Sequence, residues 1–244
     1  MTRLEPEAAL RNFLRYRLTD YNSGNRGGSQ WVFDDWPRDD LSPESFPRVV
    51  VLKLGEGGRL IGLSDNDTFD ELLFEIDVLV HRDLGVLTIS HSNESLGVIS
   101  NSPRLSFDYL AQSVSSIKHD GTAFSTLTPV VNDSDFSSPS AGTVEWSRST
   151  GNLNFSSSDL SSYAGETITA SYSELLEGDQ LAKRVGRDIV VAIRSYWRID
   201  SLLDGLFYPE KISGPRVVEF GVPEGWHRVI VEYRFRRLNT GEEV

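Results

Sequence analysis

Apolar residues recur at helical spacing near the start of the chain and at every second position further on, and this change of period separates its elements. Leu10, Phe13, Leu14 and Leu18 fall on one face of a helix, and Thr2-Arg3-Leu4-Glu5 has the form of a capping box, so the spacing predicts a helix over 4–18. The next stretch, "TDYNSGNRGGSQWVFDDWPRDDLSPES", is polar and rich in Gly, Asp and Pro, which predicts a surface loop pinned to the core by Trp31, Phe33 and Trp36. From Phe46 the texture is that of strands. "FPRVVVLKL" and "RLIGL" read as a hairpin turned at "GEGG", and in "FDELLFEIDVLVHR" Phe74, Ile76, Val78 and Val80 alternate with Glu75, Asp77, Leu79 and His81.

Between about 86 and 173 Ser and Thr become dense. "TVEWSRSTGNLNFS" predicts a hairpin with Val144 and Trp146 facing Leu153 and Phe155, and "ETITASYS" predicts a further strand. A disordered loop is the alternative, disfavoured because Trp146, Phe155, Ile168 and Tyr172 are apolar residues to bury. Helical periodicity then returns from Asp179, read as the cap, through Leu181, Val185, Ile189, Ala192, Ile193 and Tyr196, and "RIDSLLDGL" reads as a second short helix ending at Gly205. Two strands close the pattern, "PRVVEFG" and "WHRVIVEYRFRRL", joined by a turn over 222–225. The expected fold is α+β: a mixed, mainly antiparallel sheet packed by an N-terminal helix and a C-terminal helix pair, with an inserted small all-β domain. The expected domains are a discontinuous core, 1–85 with 174–244, and an insert, 86–173.

Composition narrows the chemistry. The 244 residues include no Cys, which excludes disulfides, thiol nucleophiles and thiolate metal sites. The first residues mix charge with apolar positions, as neither a signal peptide nor a membrane span does. A formal charge of −12 opposes general binding to nucleic acid, whose affinity comes largely from cations that displace counterions. Short motifs fail on context. His81-Arg82-Asp83-Leu84 matches the catalytic loop of protein kinases, but the phosphate loop, the strand lysine and Asp-Phe-Gly are missing, so Asp83 reads as a turn residue. "SDNDTFD" has Asp70 where a calcium loop needs Gly, and the four His (81, 91, 119, 227) lack metal-ligand spacing. No catalytic, metal or cofactor residue is assigned, and the chain is not expected to be an enzyme.

The order of elements, carried by "FPRVVVLKLGEGGRLIGLSDNDTFDELLFEIDVLVHRD", "GDQLAKRVGRDIVVAIRSYW", "GPRVVEF" and "WHRVIVEYRFRRL", resembles the tail terminator (tail completion) proteins of tailed phages and archaeal tailed viruses. The likeness covers the chain outside the insert and rests on element order and hydrophobic texture. It implies a structural virion protein, found in the virion tail and neck and in the host cytoplasm during assembly, without a cofactor or a membrane. Its partners would be its own copies in a homohexameric ring, the tail tube protein, and neck or head–tail connector proteins, with DNA passing through the lumen unbound. Alternatives are another connector or tube component, or a secreted glycan-binding β-module using Trp146, Tyr163 or Tyr172.

A closed ring of head-to-tail copies needs complementary charge on two separate patches. The sequence offers Glu71, Glu75 and Asp77 on one strand and Arg228, Arg234 and Arg236 on the last, the latter strip being either such an interface or a solvated sheet face. Reversing Arg234 and Arg236 would then disperse the ring.

Lys occurs only at 53, 118, 183 and 211 among 24 basic residues. Acidic excess with scarce Lys suits either a halophile's virus or a GC-rich genome with an acidic proteome. Salt adaptation predicts a melting midpoint that rises between dilute and molar KCl, where screening acts within about 3 Å; a midpoint that stays level selects the genomic explanation.

Overall fold

A computed structural model describes residues 5–26, 30–36, 41–60, 68–100, 105–199, 201–203, 205–218 and 225–239. In chain order the elements begin with α1 (Pro6–Arg17), α2 (Ser23–Arg26), β1 (Val32–Phe33), β2 (Arg48–Leu60), β3 (Thr68–His81) and β4 (Leu87–Val98). There follow β5 (Ser113–His119), β6 (Thr122–Ala123), β7 (Thr126–Val130), β8 (Thr143–Ser147), β9 (Leu153–Phe155) and α3 (Ser157–Ser162). The last are β10 (Thr167–Leu176), α4 (Gly178–Tyr196), β11 (Leu206–Val218) and β12 (Trp226–Asn239). The fold is mixed α+β with mainly antiparallel sheets, and it divides into two compact units: Met1–Val86 with Glu177–Val244, and Leu87–Leu176. Among the described residues no helix is long and apolar enough to cross a membrane.

The first unit is a five-stranded sheet in the order β1-β2-β3-β12-β11. Its centre is the antiparallel pair β3 and β12, in register without a bulge from Trp226↔His81 to Asn239↔Thr68. Strict alternation puts Phe74, Ile76 and Val78 beside Tyr233, Val231 and Val229 on one face, where all six are buried. Helices α1 and α4 pack on this sheet.

Pro6 opens α1 at a position that needs no amide donor, and Leu10, Phe13 and Leu14 bury its inner face. The expected capping box falls on residues 2–4, outside the described residues, and Glu5 itself makes no side-chain cap bond. Helix α4 buries Leu181, Val185, Ile189 and Ile193. Asp179 is not its cap, as expected, but a first-turn residue whose carboxylate accepts from Lys183 Nζ at 2.6 Å; Glu177 stands at the cap. At Gly186 the helix comes so near the sheet that a Cβ would sit 3.0 Å from both Pro215 Cβ and Val229 Cγ1.

Three local expectations are corrected. Gly55-Glu56-Gly57-Gly58 is not a turn: β2 runs through it, paired to β3 at Gly55↔Leu73 and Gly57↔Glu71 after a bulge at Lys53/Gly55. A 14-residue partner strand supplies the ladder bonds that outweigh glycine's poor strand propensity. Residues 61–67, with most of "RLIGL", lie outside the described residues, as does most of the turn expected over 222–225. The second C-terminal helix is a single 3-10 turn, Ser201–Leu203. Strand β11 begins well before "PRVVEFG", at Leu206, and passes Pro209 and Gly214 through three register shifts.

The loop before β2 is tied down by polar bonds. Asn22 Nδ2 donates to Phe46 O at 2.7 Å and to Glu44 O at 3.0 Å, and Arg26 reaches the carbonyls of Ser45 and Pro47. Of the three expected anchors Trp31 is buried, Phe33 lies under the Arg48 guanidinium, and Trp36 is exposed on its outer side.

The second unit holds a four-stranded sheet, β4-β10-β5-β6, and a three-stranded sheet, β7-β8-β9, around a core that includes Ile99, Phe107, Ile117, Trp146, Phe155 and Tyr172. Its hairpin pairs Val144↔Phe155 and Trp146↔Leu153. In β10, Ile168, Ala170 and Tyr172 are buried while Thr169, Ser171 and Ser173 point outward, which is why this stretch is rich in hydroxyls yet packs a core. The first and last residues of the unit, Leu87 and Leu176, are Cα partners across β4 and β10.

Gly214 has φ +86°, and a Cβ there would lie 2.3 Å from Ile230 O. Gly121 has φ +89° but open space around it. Gly214→Ala is therefore expected to cost well above the ~1–2 kcal/mol of left-handed strain alone, and Gly121→Ala about that strain alone. Urea unfolding of the two variants measures the gap, and equal midpoints would refute it.

Candidate functional site

The register of β3 and β12 decides where the charged residues fall. Ile230↔Asp77, Glu232↔Glu75 and Arg236↔Glu71 put Glu71, Glu75 and Asp77 on the sheet face opposite the apolar one, together with Arg228, Arg234 and Arg236. The acidic and basic sets are therefore not two separate patches, as a head-to-tail contact between them would need; they are neighbours on one face and pair within the chain. Arg228 Nε donates to Asp77 Oδ1 at 2.7 Å and its Nη2 to Glu75 Oε1 at 2.9 Å, with its guanidinium 4.8 Å from the Trp36 ring centroid. Arg234 lies 3.5 Å from Glu210, and Arg236 lies 3.9 Å from Glu71. These outer pairs are half-exposed and worth at most about 1 kcal/mol each.

The two ends of this face differ. At one end Phe46 packs on His81 and Trp226 at ring distances of 5.6 and 5.0 Å, and Trp36 covers Arg228. Asp77 is fully buried there, and its Oδ2 has no hydrogen-bond partner. Burial pushes its carboxyl up to about 6, with Glu75 adding to the rise and the Arg228 bonds opposing it. The other end is open. Gly55 and Gly57 contribute no side chains, and with Glu56, Leu73, Glu71 and Arg234 they line a shallow depression of about 200 Å³.

A second surface was not foreseen from sequence. The C-terminal ends of α1 and α4 meet the start of β11 in a series of aromatic and guanidinium contacts. Arg17 sits over the rings of Tyr16 and Tyr196 at 4.9 and 4.2 Å, Arg198 over Trp197 at 5.0 Å, and Trp197 against Tyr208 at 5.6 Å. Tyr16 is 69% exposed, Ile199 75% and Tyr208 61%, and Phe207, paired with Arg236 on the charged side of the sheet, is exposed as well. Tyr208 has φ +49° at the bulge between Phe207 and Glu210, a backbone conformation that a bulky residue rarely adopts. Its three source segments are too far apart in sequence for any periodicity to reveal it.

The histidines hold structure. His81 ends β3, and its Nδ1 accepts from Asp83 N at 3.1 Å in the exposed turn that was expected there. His91 is stacked between Tyr109 and Tyr172, 3.1 Å from Glu94 and 3.3 Å from Glu174. Burial raises the Glu94 carboxyl, against the bond donated by Tyr172. His119 is 2.6 Å from Glu166 and stacked on Tyr163. Of the rings considered for glycan stacking, Trp146 and Tyr172 are buried in the second unit's core, so no sugar can lie on them. Among the described residues no group of three or more His, Asp or Glu is placed to hold a metal ion. Comparison of the chain with family models, curated proteins and solved structures gives no match, so function is argued from these residues themselves.

A carboxyl raised from 3.8 to about 6 by folding binds its proton more tightly in the folded state. Its stabilising share is full below about pH 4 and is lost as pH rises through 6, a span on the order of 3 kcal/mol. Asp77→Asn removes that dependence. The stability of the variant relative to the parent is expected to improve steadily from pH 4 to pH 7 in urea titrations, and a difference independent of pH would refute the assignment.

Proposed function

We propose that this chain is a structural subunit of a tailed virus, forming a ring that caps the tail tube and joins it to the neck beneath the capsid. The observation that carries the reading is the β3–β12 seam. Strands from before residue 87 and after residue 176 close into one sheet, with α1 and α4 packed on it. That arrangement fits the element order on which the likeness to tail terminators rests, with residues 87–176 as the added β-unit. The acidic, Lys-poor composition suits both a high-salt host and a lumen through which DNA slides without adhering.

In this role the chain acts through surfaces. Ring closure needs two different faces on each copy, one for each neighbour. The Arg228 cluster serves the fold of each copy, whereas the open end of the charged face and the aromatic surface are exposed among the described residues of the first unit and available for contact. Tail tube and neck proteins would take the two flat sides of the ring.

Mass measurement of the purified protein in molar KCl tests the reading. The expected value is six times the chain mass, with particle images showing a ring. A monomer at every concentration tried would remove it, and a ring located elsewhere in the virion would assign the chain to another connector component.

A further inference from the structure

We infer that the solvent side of α4 is a docking surface for an acidic helix of a partner protein, whose carboxylates meet Arg187, Arg194 and Arg198 around an apolar contact at Val191. This face belongs to the first unit alone and is independent of the ring reading.

Helical geometry gathers the four residues into one row. At about 100° per residue, Arg187, Val191 and Arg194 fall within about 60° of one another, and Arg198 extends the row just past the helix end. All four are exposed. The row lies opposite the stripe of Leu181, Val185, Ile189 and Ala192 that is buried, so it points away from the core. It is about 17 Å long, and its members recur at intervals of four, three and four residues, the spacing that one helix offers to another lying along it.

The charge on this row has no counterpart inside the chain. A solvated helix face gains stability when a carboxylate stands one turn from each cation, and α4 has such pairs elsewhere: Lys183 with Asp179 at 2.6 Å and Arg184 with Asp188 at 3.4 Å. Asp188 is further engaged by the Tyr21 hydroxyl. One turn from Arg187, by contrast, stand Lys183 and Val191, and one turn from Arg194 stand Val190 and Arg198. Two like-charge neighbours therefore repel along the row. Among the described residues no ion pair joins Arg187, Arg194 or Arg198 to a carboxylate. The helix dipole accounts for a cation in the last turn, where Arg194 stands, but not for Arg187 in mid-helix. A row of this sign on a chain of formal charge −12 selects an acidic partner.

The apolar member says what kind of partner. Val191 is 54% exposed within the row, and Ile199 is 75% exposed at its end. A phosphate backbone has nothing to offer either side chain, whereas an amphipathic helix with an apolar row flanked by Glu or Asp covers them while its carboxylates reach the guanidiniums. A second copy does not supply such a helix among the described residues. In α1 the acidic Glu7 is followed by Arg11, Arg15 and Arg17, and the Asp159 of α3 is buried.

The test uses the full chain, a synthetic helical peptide with a Leu row flanked by Glu, its counterpart with Lys for each Glu, and a short DNA duplex. Binding is followed by fluorescence anisotropy in about 0.15 M KCl, where long-range attraction is largely screened. The parent is expected to bind the Glu peptide and not the Lys peptide. Arg187→Gln with Arg194→Gln is expected to weaken binding about tenfold, and Val191→Ser about fivefold. Circular dichroism melts check folding, and Arg187→Ala with Arg194→Ala, which raises helix propensity, replaces a double variant that fails to fold. No binding of the Glu peptide by the parent, equal binding of the Lys peptide, or unchanged affinity in either variant overturns the inference. DNA bound as tightly as the Glu peptide overturns it in favour of nucleic acid, and loss of the parent's own assembly in the double variant overturns it in favour of a second copy.

Discussion

The first unit depends on one alignment, the fourteen-residue pairing of β3 with β12. These strands are separated in sequence by the whole second unit, so the pairing closes a long loop before any contact offsets the entropy. What offsets it is concentrated on one face, where Phe74 meets Phe235 at 5.7 Å edge to face and the β-branched residues of both strands are buried. A slip of one residue would turn this face to solvent and bring the charged face inward, so register and burial enforce one another.

The opposite face adds a second check on that alignment. Arg228 reaches diagonally to Asp77 and Glu75, and a slip of one residue would turn it to the face away from both carboxylates. Buried ion pairs are poor sources of net stability because desolvation opposes the attraction, and the raised Asp77 carboxyl is a direct sign of that cost. Their contribution here is specificity: Arg228 deprived of its partners would be left charged beneath Trp36.

Much of this was legible residue by residue, and the failures share a cause. The alternation from Phe74 to His81 announced a strand because one of its faces is apolar throughout. The stripe of α4 was plain from Leu181 to Ile193, and the hairpin at Val144 and Phe155 from its local turn. Gly55 to Gly58 misled because glycine speaks of local freedom, while its strand is imposed by a partner beyond the sequence window. Leu206 to Gly214 was hidden by Pro209 and by bulges that blur the two-residue period. The charges of Glu71, Glu75, Asp77, Arg228, Arg234 and Arg236 were visible, but that they are neighbours depends on register, which no single strand encodes. The aromatic surface was invisible for the same reason, being gathered from residues 16, 196–199 and 207–208.

The adjacency of Leu87 and Leu176 has a consequence for how such a chain can change. Because the serine-rich module departs and returns through two abutting strand ends, roughly 5 Å between Cα atoms, whatever lies between them can lengthen, shorten or be exchanged without redirecting the polypeptide on either side. It is a cassette whose exterior could be refashioned while the sheet of the first unit stays as it was.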